Sequence, residues 1–369
     1  MKWSWNIGKI AGIDVKIHLT FFLLLIWVGF SAFSAEGSIN SVLIELAFVL
    51  VLFLSVVLHE LGHALVARKF GFATKDINLL PIGGVARLEK MPEDPKQELQ
   101  VAGVGPLVNV AIAGLLFAIL LLTGTFTLPI DLTSLTDNFW VRVLSANLTL
   151  AVFNLLPAFP MDGGRVLRAF LSIRMDHVKA TKIAANVGRG LAVVMGIVGF
   201  FVNPWLIVTA MFVWYGAGME TQSVTLKAGL QGLTVRDALM SQFFQVEANQ
   251  SLDSIFQLML QTGQNTLPVT SNGHFLGFIR RGDLQNAIQR VGHRAPAYSA
   301  IGIEPTGLTL DTPLTEILPQ FATSKVLPVI ENRTLVGLVT PESVQQSMWL
   351  KTHPNQPGDY QPEKNTPSV

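Results

Sequence analysis

The chain has 369 residues, of which half are hydrophobic and only 14% are charged. This composition is too apolar for an ordinary soluble protein of this length, so it predicts membrane-spanning segments. A formal net charge of +1 without a basic patch gives no reason to expect nucleic acid as a partner. The absence of cysteine excludes disulfides, thiolate metal ligands and cysteine nucleophiles, so any metal must be held by His, Asp or Glu.

Six mainly apolar stretches predict membrane helices, since a helix that crosses a bilayer needs about 17 to 25 such residues. They lie at 18–35, 40–68, 99–123, 139–156, 182–201 and 204–219. The first is interpreted as a span and not as a cleaved signal peptide, because its removal would leave an odd number of spans.

The distribution of Lys and Arg predicts the orientation of these spans. Both residues occur in the N-terminal segment and after the second and fourth spans, whereas 36–40, 124–138 and 202–204 contain neither. Cytoplasmic segments are enriched in Lys and Arg. We therefore expect a multi-pass protein of the cell (inner) membrane with both termini in the cytoplasm.

The second predicted span contains HELGH within the apolar stretch SVVLHELGHALVA. An H-E-x-x-H pattern places two histidines on one helix face, where both can bind one zinc ion while the glutamate acts on its water. In a soluble helix the same pair is also compatible with hydrogen-bonded core histidines. In a bilayer each ionisable group costs about 2.5–3.5 kcal/mol, which makes His59, Glu60 and His63 functional candidates.

The third predicted span begins with GVGPLVN, residues 103–109. Because it runs opposite to the second span, its start lies in the same layer as His59, about 13 Å from the cytoplasmic end of the second helix. Gly105, Pro106 and Asn109 are thereby brought near the histidines. Small residues that allow close helix packing explain this stretch equally well.

The fourth predicted span ends in NLLPAFPMDGGR, residues 154–165. Catalytic zinc usually takes three protein ligands, so a third ligand is required. Two prolines break the helix here, Asp162 follows them, and a glycine pair permits a tight backbone path. Asp162 is the candidate ligand, although the segment also fits a turn that simply ends the span.

These motifs together resemble the site-2 proteases, zinc metalloproteases that cut their substrates inside the membrane. The resemblance covers about the first 220 residues, with HELGH, G-P-x-x-N and N-x-x-P-x-x-P-x-D-G-G in the family's order. It implies that His59, His63 and Asp162 hold one zinc ion per chain and that Glu60 is the general base. It also implies that Asn154 helps to hold the substrate carbonyl or its oxyanion.

The stretch LLPIGGVARLE, residues 79–89, matches the family's membrane-dipping β-hairpin, which is thought to offer an edge strand to the substrate. Gly83 and Gly84 in this stretch and Asn109 in the third span are the substrate-binding candidates. A substrate helix must unwind before cleavage, and its freed N–H and C=O groups need partners where water is absent. Strand addition supplies them. A plain cytoplasmic turn is the alternative.

Beyond residue 225, short apolar segments separated by Gly, Pro, Asn and Asp predict a soluble α/β module. Residues 233–288 and 298–348 each contain a helix, the strand LPV, a turn, a second strand and a closing helix. They resemble a tandem pair of CBS domains, a regulatory module that often binds adenine nucleotides.

The predicted fold is thus a polytopic α-helical membrane protein, with about six transmembrane helices and a small membrane-associated β-hairpin, plus a C-terminal α/β CBS-pair domain. The predicted boundaries are 1–225 for the protease domain, 226–289 and 290–349 for the repeats, and 350–369 for a disordered tail.

Each repeat keeps half of the residue pattern that binds nucleotides in such pairs. The first has Asp283 but Arg280 in place of a hydroxyl residue, and the second has Thr340 but Ser343 in place of the aspartate. An adenine nucleotide at Asp283 and Thr340 therefore remains one interpretation. A ligand-free dimerisation or gating domain remains the other.

The expected function is zinc-dependent cleavage within transmembrane segments, with the CBS pair regulating activity or substrate access. The resemblance implies a membrane-anchored protein substrate, such as an anti-sigma factor, in a lipid bilayer, and a homodimer through the CBS domains is compatible with it. A transporter or channel also carries intramembrane charges, but that class explains neither HELGH nor the Asp162 motif. An inactive scaffold is disfavoured because no catalytic position is missing.

Overall fold

The computed structural model describes residues 3–81, 83–88, 94–125, 138–302 and 306–353. The chain divides into two compact units, Met1–Val224 and Thr225–Val369. The first unit combines long apolar helices with a small sheet, and the second is a mixed α/β module.

Helices form most of the first unit, and the last of them continues past Val224 into the second unit. In chain order they are α1 (Leu19–Glu36), α2 (Ile39–Lys69), α3 (Pro95–Leu122), α4 (Phe139–Leu155), α5 (Asp162–Ser172), α6 (His177–Phe201) and α7 (Trp205–Leu230). Within the described ranges, α1, α2, α3 and α6 are long and apolar enough to cross a membrane, and α4 is a shorter apolar helix of 17 residues. The spans predicted at 139–156 and 204–219 fall on α4 and α7, and their crossing stays a prediction.

The joint between α1 and α2 follows from local capping. Gly37 adopts the left-handed conformation that ends α1, with φ of 64°, and the Ser38 side chain accepts a hydrogen bond from the Asn40 N–H at the start of α2. Glycine tolerates this backbone conformation, and serine satisfies an otherwise free N–H group. The two helices are therefore joined by two residues.

Four strands form the sheet of the first unit. They are β1 (Ser4–Ile10), β2 (Ile13–His18), β3 (Thr74–Leu80) and β4 (Gly83–Leu88), in the order β1-β2-β3-β4. The hairpin predicted at 79–89 falls on the antiparallel pair β3 and β4, with residues 82 and 89 outside the described ranges. Its association with a membrane stays a prediction. The sequence reasoning missed β1 and β2.

One face of this sheet packs on α2. Ile13, Val15, Ile77 and Leu79 share an apolar core with residues of α1 and α2 that include Phe53. Because β2 and β3 are parallel, α1 and α2 together form the crossover between them. The outermost strand on the β3 side is β4, which pairs with β3 alone in the described sheet.

An ion cluster ties three of these strands together. Asp76 on β3 is buried, and its carboxylate accepts hydrogen bonds from Lys16 on β2, at 2.6 Å, and from Arg87 on β4. The hydrogen bonds from Arg87 outweigh the burial of the carboxyl group and, together with Lys16, lower the pKa of Asp76 to about 2.

The second unit repeats one arrangement twice. Its strands are β5 (Val246–Glu247), β6 (Thr266–Ser271), β7 (His274–Arg280), β8 (Leu327–Glu331) and β9 (Thr334–Val339), in the order β5-β6-β7-β9-β8. Its helices are α8 (Leu252–Thr262), α9 (Arg281–Val291), α10 (Leu314–Ile317) and α11 (Pro341–Thr352), with 3₁₀ turns at Val235–Ala238, Ala297–Ala300 and Leu318–Ala322. The pair Val269–Gly277 in the first hairpin recurs as Val329–Gly337 in the second, sixty positions on, with a register shift next to it in each. The unit has two apolar cores, and each takes residues from both repeats. One core extends from Val246 to Ala287 and includes Ala297 and Ala300, and the other extends from Leu308 to Val344 and includes Leu230, Val235 and Ala238.

The tail predicted to be disordered from residue 350 is helical in its first three residues. The helix α11 extends to Thr352, whose hydroxyl donates to the Trp349 carbonyl at 2.9 Å, and Lys351 donates to the Gln231 carbonyl. These contacts keep 350–352 helical. Residues 354–369 lie outside the described ranges.

Candidate metal centre

Three side chains from two helices converge at one point in the first unit. The Nε2 atoms of His59 and His63 on α2 and the Oδ2 atom of Asp162 on α5 lie 3.1 Å from one another in each of the three pairs. All three residues are buried. Across the ranges that the structure describes, this is the single group of three or more His, Asp or Glu residues with ligand atoms in reach of one metal ion.

Glycines make this convergence sterically possible. A Cβ atom at Gly105 on α3 would lie 2.2 Å from His63 Nε2 and 2.7 Å from His59 Cε1. A Cβ atom at Gly163 would lie 2.2 Å from the carbonyl oxygen of Leu156 at the end of α4. The first glycine leaves room for the imidazoles, and the second lets α5 start directly against α4 with Asp162 as its first residue.

The hydrogen bonds behind the imidazoles fix their tautomers. The Nδ1 atom of His63 lies 2.6 Å from the carbonyl oxygen of Val101, which can only accept a hydrogen bond. The Nδ1 atom of His59 lies 2.6 Å from Asn109 Oδ1, because the amide nitrogen of Asn109 donates to Asn147. Each Nδ1 must therefore carry the proton, which leaves the Nε2 lone pairs free to bind a metal.

This donor set fits a zinc ion. Two imidazole lone pairs and a carboxylate oxygen at 3.1 Å repel one another unless a cation lies between them. In a tetrahedral zinc site with ligand bonds of about 2.0–2.1 Å, neighbouring ligand atoms are about 3.3 Å apart. Nitrogen and oxygen ligands of these types are the ones that catalytic zinc uses.

A buried hydrogen-bond chain extends from His59 through α3 and α4. Asn109 donates to Asn147 Oδ1 at 3.0 Å, and Asn147 donates to Ser55 Oγ at 3.2 Å and to the Val143 carbonyl at 2.9 Å. Both asparagines are fully buried. Sequence reasoning missed Asn147 and Ser55, although a polar side chain within an apolar span was a signal that could have found them.

The structure places Asn109 differently from the substrate-binding position expected for it. Its side chain is enclosed between His59 and Asn147 and has no exposed surface. A fully buried amide that is already hydrogen-bonded on both ends offers no atom to a substrate. The geometry instead gives Asn109 a contact with a candidate metal ligand.

The other predicted acid, Glu60, lies against β4. Its Oε2 atom accepts a hydrogen bond from the Ala86 N–H at 3.2 Å. A Cβ atom at Gly84 would lie 2.9 Å from Glu60 Cγ, so this glycine also borders the side chain. Gly83, the first residue of β4, has a φ of 134° and no heavy atom within 4 Å of its Cβ position.

Asn154 lies in the last turn of α4 and is half-buried. Its side chain makes no hydrogen bond within the part of the chain that the structure describes. Unlike Asn109, this amide therefore keeps both its donor and its acceptor atoms free.

A buried ion cluster holds the helix that starts at Asp162. Arg168 on α5 donates to Glu98 on α3, with Nε at 2.8 Å from Oε1, and to Glu220 on α7. The side chains of Arg168 and Glu98 are both nearly inaccessible, and the guanidinium lies 5.1 Å above the ring of Phe159. The cluster joins three helices next to the candidate metal centre.

The two predicted nucleotide contacts lie at helix starts in the second unit. Asp283 lies in the first turn of α9, and a Cβ atom at Gly302 would lie 2.7 Å from its Oδ2 atom. The hydroxyl of Thr340 accepts the Ser343 N–H at 3.2 Å and thus caps α11. No hydrogen bond joins Asp283 to Thr340 in the described residues.

Comparison with known proteins gives two family matches. The model of peptidase family M50 matches residues 47–140 and 130–197, and the CBS domain model matches residues 235–290. The zinc metalloprotease MJ0392 of Methanocaldococcus jannaschii is 35% identical over 350 residues, which cover 94% of this chain and 97% of that protein. Stage IV sporulation protein FB of Bacillus subtilis is 29% identical over 198 residues, 53% of this chain and 62% of that protein. The solved site-2 protease from Methanocaldococcus jannaschii is 40% identical, with a TM-score of 0.44, and covers 59% of this chain and 95% of that chain.

The buried group consists of two histidines on the apolar helix α2 and an aspartate at the start of α5. In a chain related along its length to a zinc metalloprotease, this group defines a membrane metallopeptidase. The chain belongs to peptidase family M50, the site-2 proteases, and carries a C-terminal CBS domain. The resemblance inferred from the motifs is thereby confirmed.

Proposed function

We propose that this metallopeptidase hydrolyses peptide bonds within the transmembrane segments of membrane-anchored proteins. One observation carries the proposal: the three candidate ligands, Glu60 and the edge strand β4 adjoin one another within a unit of apolar helices. A soluble protease needs no such setting. An enzyme whose substrate is a membrane helix does need it.

His59, His63 and Asp162 are the proposed zinc ligands, one ion per chain. A zinc ion held there supplies Lewis acidity, which lowers the pKa of water and polarises a carbonyl group. The chain's part is to hold the two imidazoles in the required tautomer, through Asn109 and the Val101 carbonyl.

Glu60 is the proposed general base. Its Oε2 atom is held by the Ala86 N–H, so Oε1 is the atom that takes the proton from the attacking water. The water oxygen forms a bond to the scissile carbonyl carbon, and the C–N bond then breaks as the proton passes to the leaving amine. The free amide of Asn154 is the proposed donor to the oxyanion.

The strand β4 is the proposed template for the substrate, with Gly83 and Gly84 at its start. An unwound substrate segment has N–H and C=O groups that cannot remain unpaired in a medium without water. The outer edge of β4 supplies backbone partners by strand addition. We assign the hairpin to the membrane interface for this reason.

The finer arrangement of the chain is part of the same proposal. We assign six spans, with both termini on the cytoplasmic side of the cell (inner) membrane. We also assign the domain boundaries 1–225 for the protease domain and 226–289 and 290–349 for the two repeats. The CBS pair would regulate activity or substrate access, with an adenine nucleotide near Asp283 and Thr340 as candidate effector and a homodimer as candidate assembly. A single-span regulator such as an anti-sigma factor is the substrate class.

The test is cleavage of single-span reporters that are reconstituted with the enzyme in lipid vesicles. We expect cleavage inside the apolar segment, loss of cleavage with 1,10-phenanthroline, and recovery when zinc is returned. Glu60→Gln should keep zinc and cleave about 10²–10⁴-fold more slowly, because it removes general-base catalysis. Cleavage that is insensitive to the chelator, or cleavage confined to the reporter's soluble flanks, would overturn the proposal.

A further inference from the structure

The strand β4 and the helix α2 meet at Glu60 through two independent contacts. The Ala86 N–H donates to Glu60 Oε2 at 3.2 Å. Two residues earlier, a Cβ atom at Gly84 would lie 2.9 Å from Glu60 Cγ and 2.8 Å from Val56 Cγ1. The backbone of β4 therefore lies directly on the Glu60 side chain.

The register of the hairpin shows which backbone groups of β4 face outward. In an antiparallel pair, alternate residues direct both their N–H and C=O groups away from the partner strand. Ala86 lies opposite Ile77 on β3, and its N–H donates to Glu60 on α2. Ala86 and Gly84 are thus the residues whose backbone groups form the outer edge of β4.

Glu60 consequently occupies one of the hydrogen-bonding positions on the edge that a substrate strand would use. We propose that β4 is a positioning element for Glu60, and that this contact sets which substrate bond is cut. The inference rests on the proposed function, and it adds two positioning groups, the Ala86 amide and the space at Gly84.

The hydrogen bond orients the base. A charge-assisted hydrogen bond from a backbone N–H to a carboxylate is directional. Because its donor belongs to the backbone of a paired strand, the donor has no side-chain rotamers. It fixes Oε2 and leaves Oε1 for the proton. A displacement of about 1 Å in such a group can cost about 10²-fold in rate.

The same contact determines the register of the substrate. A strand added to β4 can pair with the N–H and C=O of Gly84, but the N–H of Ala86 is already taken by Glu60. The substrate carbonyl that would pair with Ala86 is left without a donor from the sheet. That carbonyl lies beside the base and is free to turn toward the metal centre, so it is the scissile one.

The identity of residue 84 supports this reading. Gly84 is not among the glycines with positive φ, so its backbone conformation is open to other residues. What excludes a larger residue is space, because a Cβ atom would overlap both Val56 and Glu60. Gly84→Ala must therefore displace Glu60, Val56 or the strand itself.

The experiment uses the full-length enzyme and a reporter that the wild type cleaves. Gly84→Ala, Val56→Ala and the double variant are compared by zinc per chain, kcat, KM and the cleaved bond, which is located by mass spectrometry. Gly103→Ala is the control, since its Cβ would meet no heavy atom within 4 Å. We expect Gly84→Ala to keep its zinc and to lose about 10²-fold in kcat with little change in KM. The double variant should stay slow, because the overlap with Glu60 remains.

A second variant removes the hydrogen bond without adding volume. Replacing the amide at Ala86 by an ester, through nonsense suppression, substitutes oxygen for the N–H. We expect the same loss of kcat with zinc retained, and some cleavage shifted to a neighbouring bond. An ester at Val85, whose N–H faces β3, is the matched control and should keep the original cleavage position.

Three results would overturn the inference. The first is an unchanged kcat in both Gly84→Ala and the Ala86 ester. The second is full recovery of Gly84→Ala by Val56→Ala, which would mean that Val56 alone was displaced. The third is an unchanged cleavage position together with a purely KM effect. If the wild type cuts no reporter at all, the proposed function itself fails, and that outcome is recognisable before any variant is measured.

Discussion

The metal centre and the CBS module differ in how closely their polar residues are tied to one another. In the first unit, Ser55, Asn147, Asn109 and His59 form one unbroken buried chain of hydrogen bonds. In the second unit, Thr340 is only partly buried and caps a helix, as many threonines do. In apolar surroundings a polar side chain must find a specific partner, so its presence marks a site, whereas at a wet surface water satisfies it.

The largest effect that this contrast predicts concerns Arg168. Arg168→Met leaves Glu98 buried without its partner, and removing one member of a buried ion pair costs about 3–5 kcal/mol. The unfolding midpoint in detergent, followed by tryptophan fluorescence, should fall sharply. Six of the seven tryptophans lie in the first unit, so this signal reports mainly on that unit.

Arg174→Met is the control for that measurement, because Arg174 is exposed. It should leave the midpoint close to that of the wild type. Equal midpoints for the Arg168 and Arg174 variants would mean that the buried cluster does not stabilise the first unit.

The next effect concerns the contact behind His59. Asn109→Ala removes the acceptor that fixes the imidazole tautomer, and loss of such a contact typically costs about 10–100-fold in metal affinity. Competition with a chelator measures the change. Asn109→Asp keeps an acceptor and should retain more of the affinity, and Asn186→Ala, at an exposed position, should retain all of it. An unchanged affinity in Asn109→Ala would contradict the positioning role.

The ion cluster on the sheet predicts a smaller, pH-dependent effect. The pKa of Asp76 is lowered to about 2, so its contribution is complete above its ordinary pKa near 4 and is lost as the pH falls toward 2. Asp76→Asn should therefore be less stable than the wild type at pH 7 by about 1–2 kcal/mol, after allowance for the partly exposed Arg87.

That difference between Asp76→Asn and the wild type should shrink as the pH is lowered from 5 to 2. Denaturant unfolding with a chelator present measures it without interference from metal release. A difference that stays constant over this range would show that Asp76 contributes through its shape and not through its charge.

The smallest effect belongs to the second unit. If an adenine nucleotide binds there through Asp283, Asp283→Ala should weaken the binding of AMP by at least about tenfold, since a hydrogen bond to a charged group contributes about 1.5 kcal/mol or more. Calorimetry of the full-length protein measures it, with Asp311→Ala as an exposed acidic control. Unchanged AMP binding in Asp283→Ala would place the nucleotide elsewhere, and the second unit would then hold a site that its residue pattern did not reveal.

The sequence was sufficient for the parts of the first unit that follow from local rules. Helical spacing places His59 and His63 on one face. The predicted direction of the spans gave Asp162 the same predicted depth, and the structure brings its carboxylate to both histidines. The order of elements in the two repeats was likewise readable, because each hairpin is local and recurs sixty positions on.

The parts that were missed depend on contacts distant in the chain. The strand β2 pairs with β3 across two helices, and nothing local in the sequence gives that register. Asn109 was predicted to bind the substrate, because the sequence indicates that it lies in the same layer as His59 but does not indicate which side chains it contacts. The contact of Glu60 with Ala86 depends on the path of β4, which periodicity does not specify.

Zinc binding by His59, His63 and Asp162 is tested most directly by the zinc content of the detergent-purified protein. The wild type is compared with Asp162→Ala in buffers free of chelator. We predict about one zinc per chain in the wild type and much less in the variant, since Asp162 supplies one of the three donors. Equal zinc in both proteins would place the third ligand elsewhere, and a folded wild type that takes up no zinc when it is resupplied would contradict the metal centre itself.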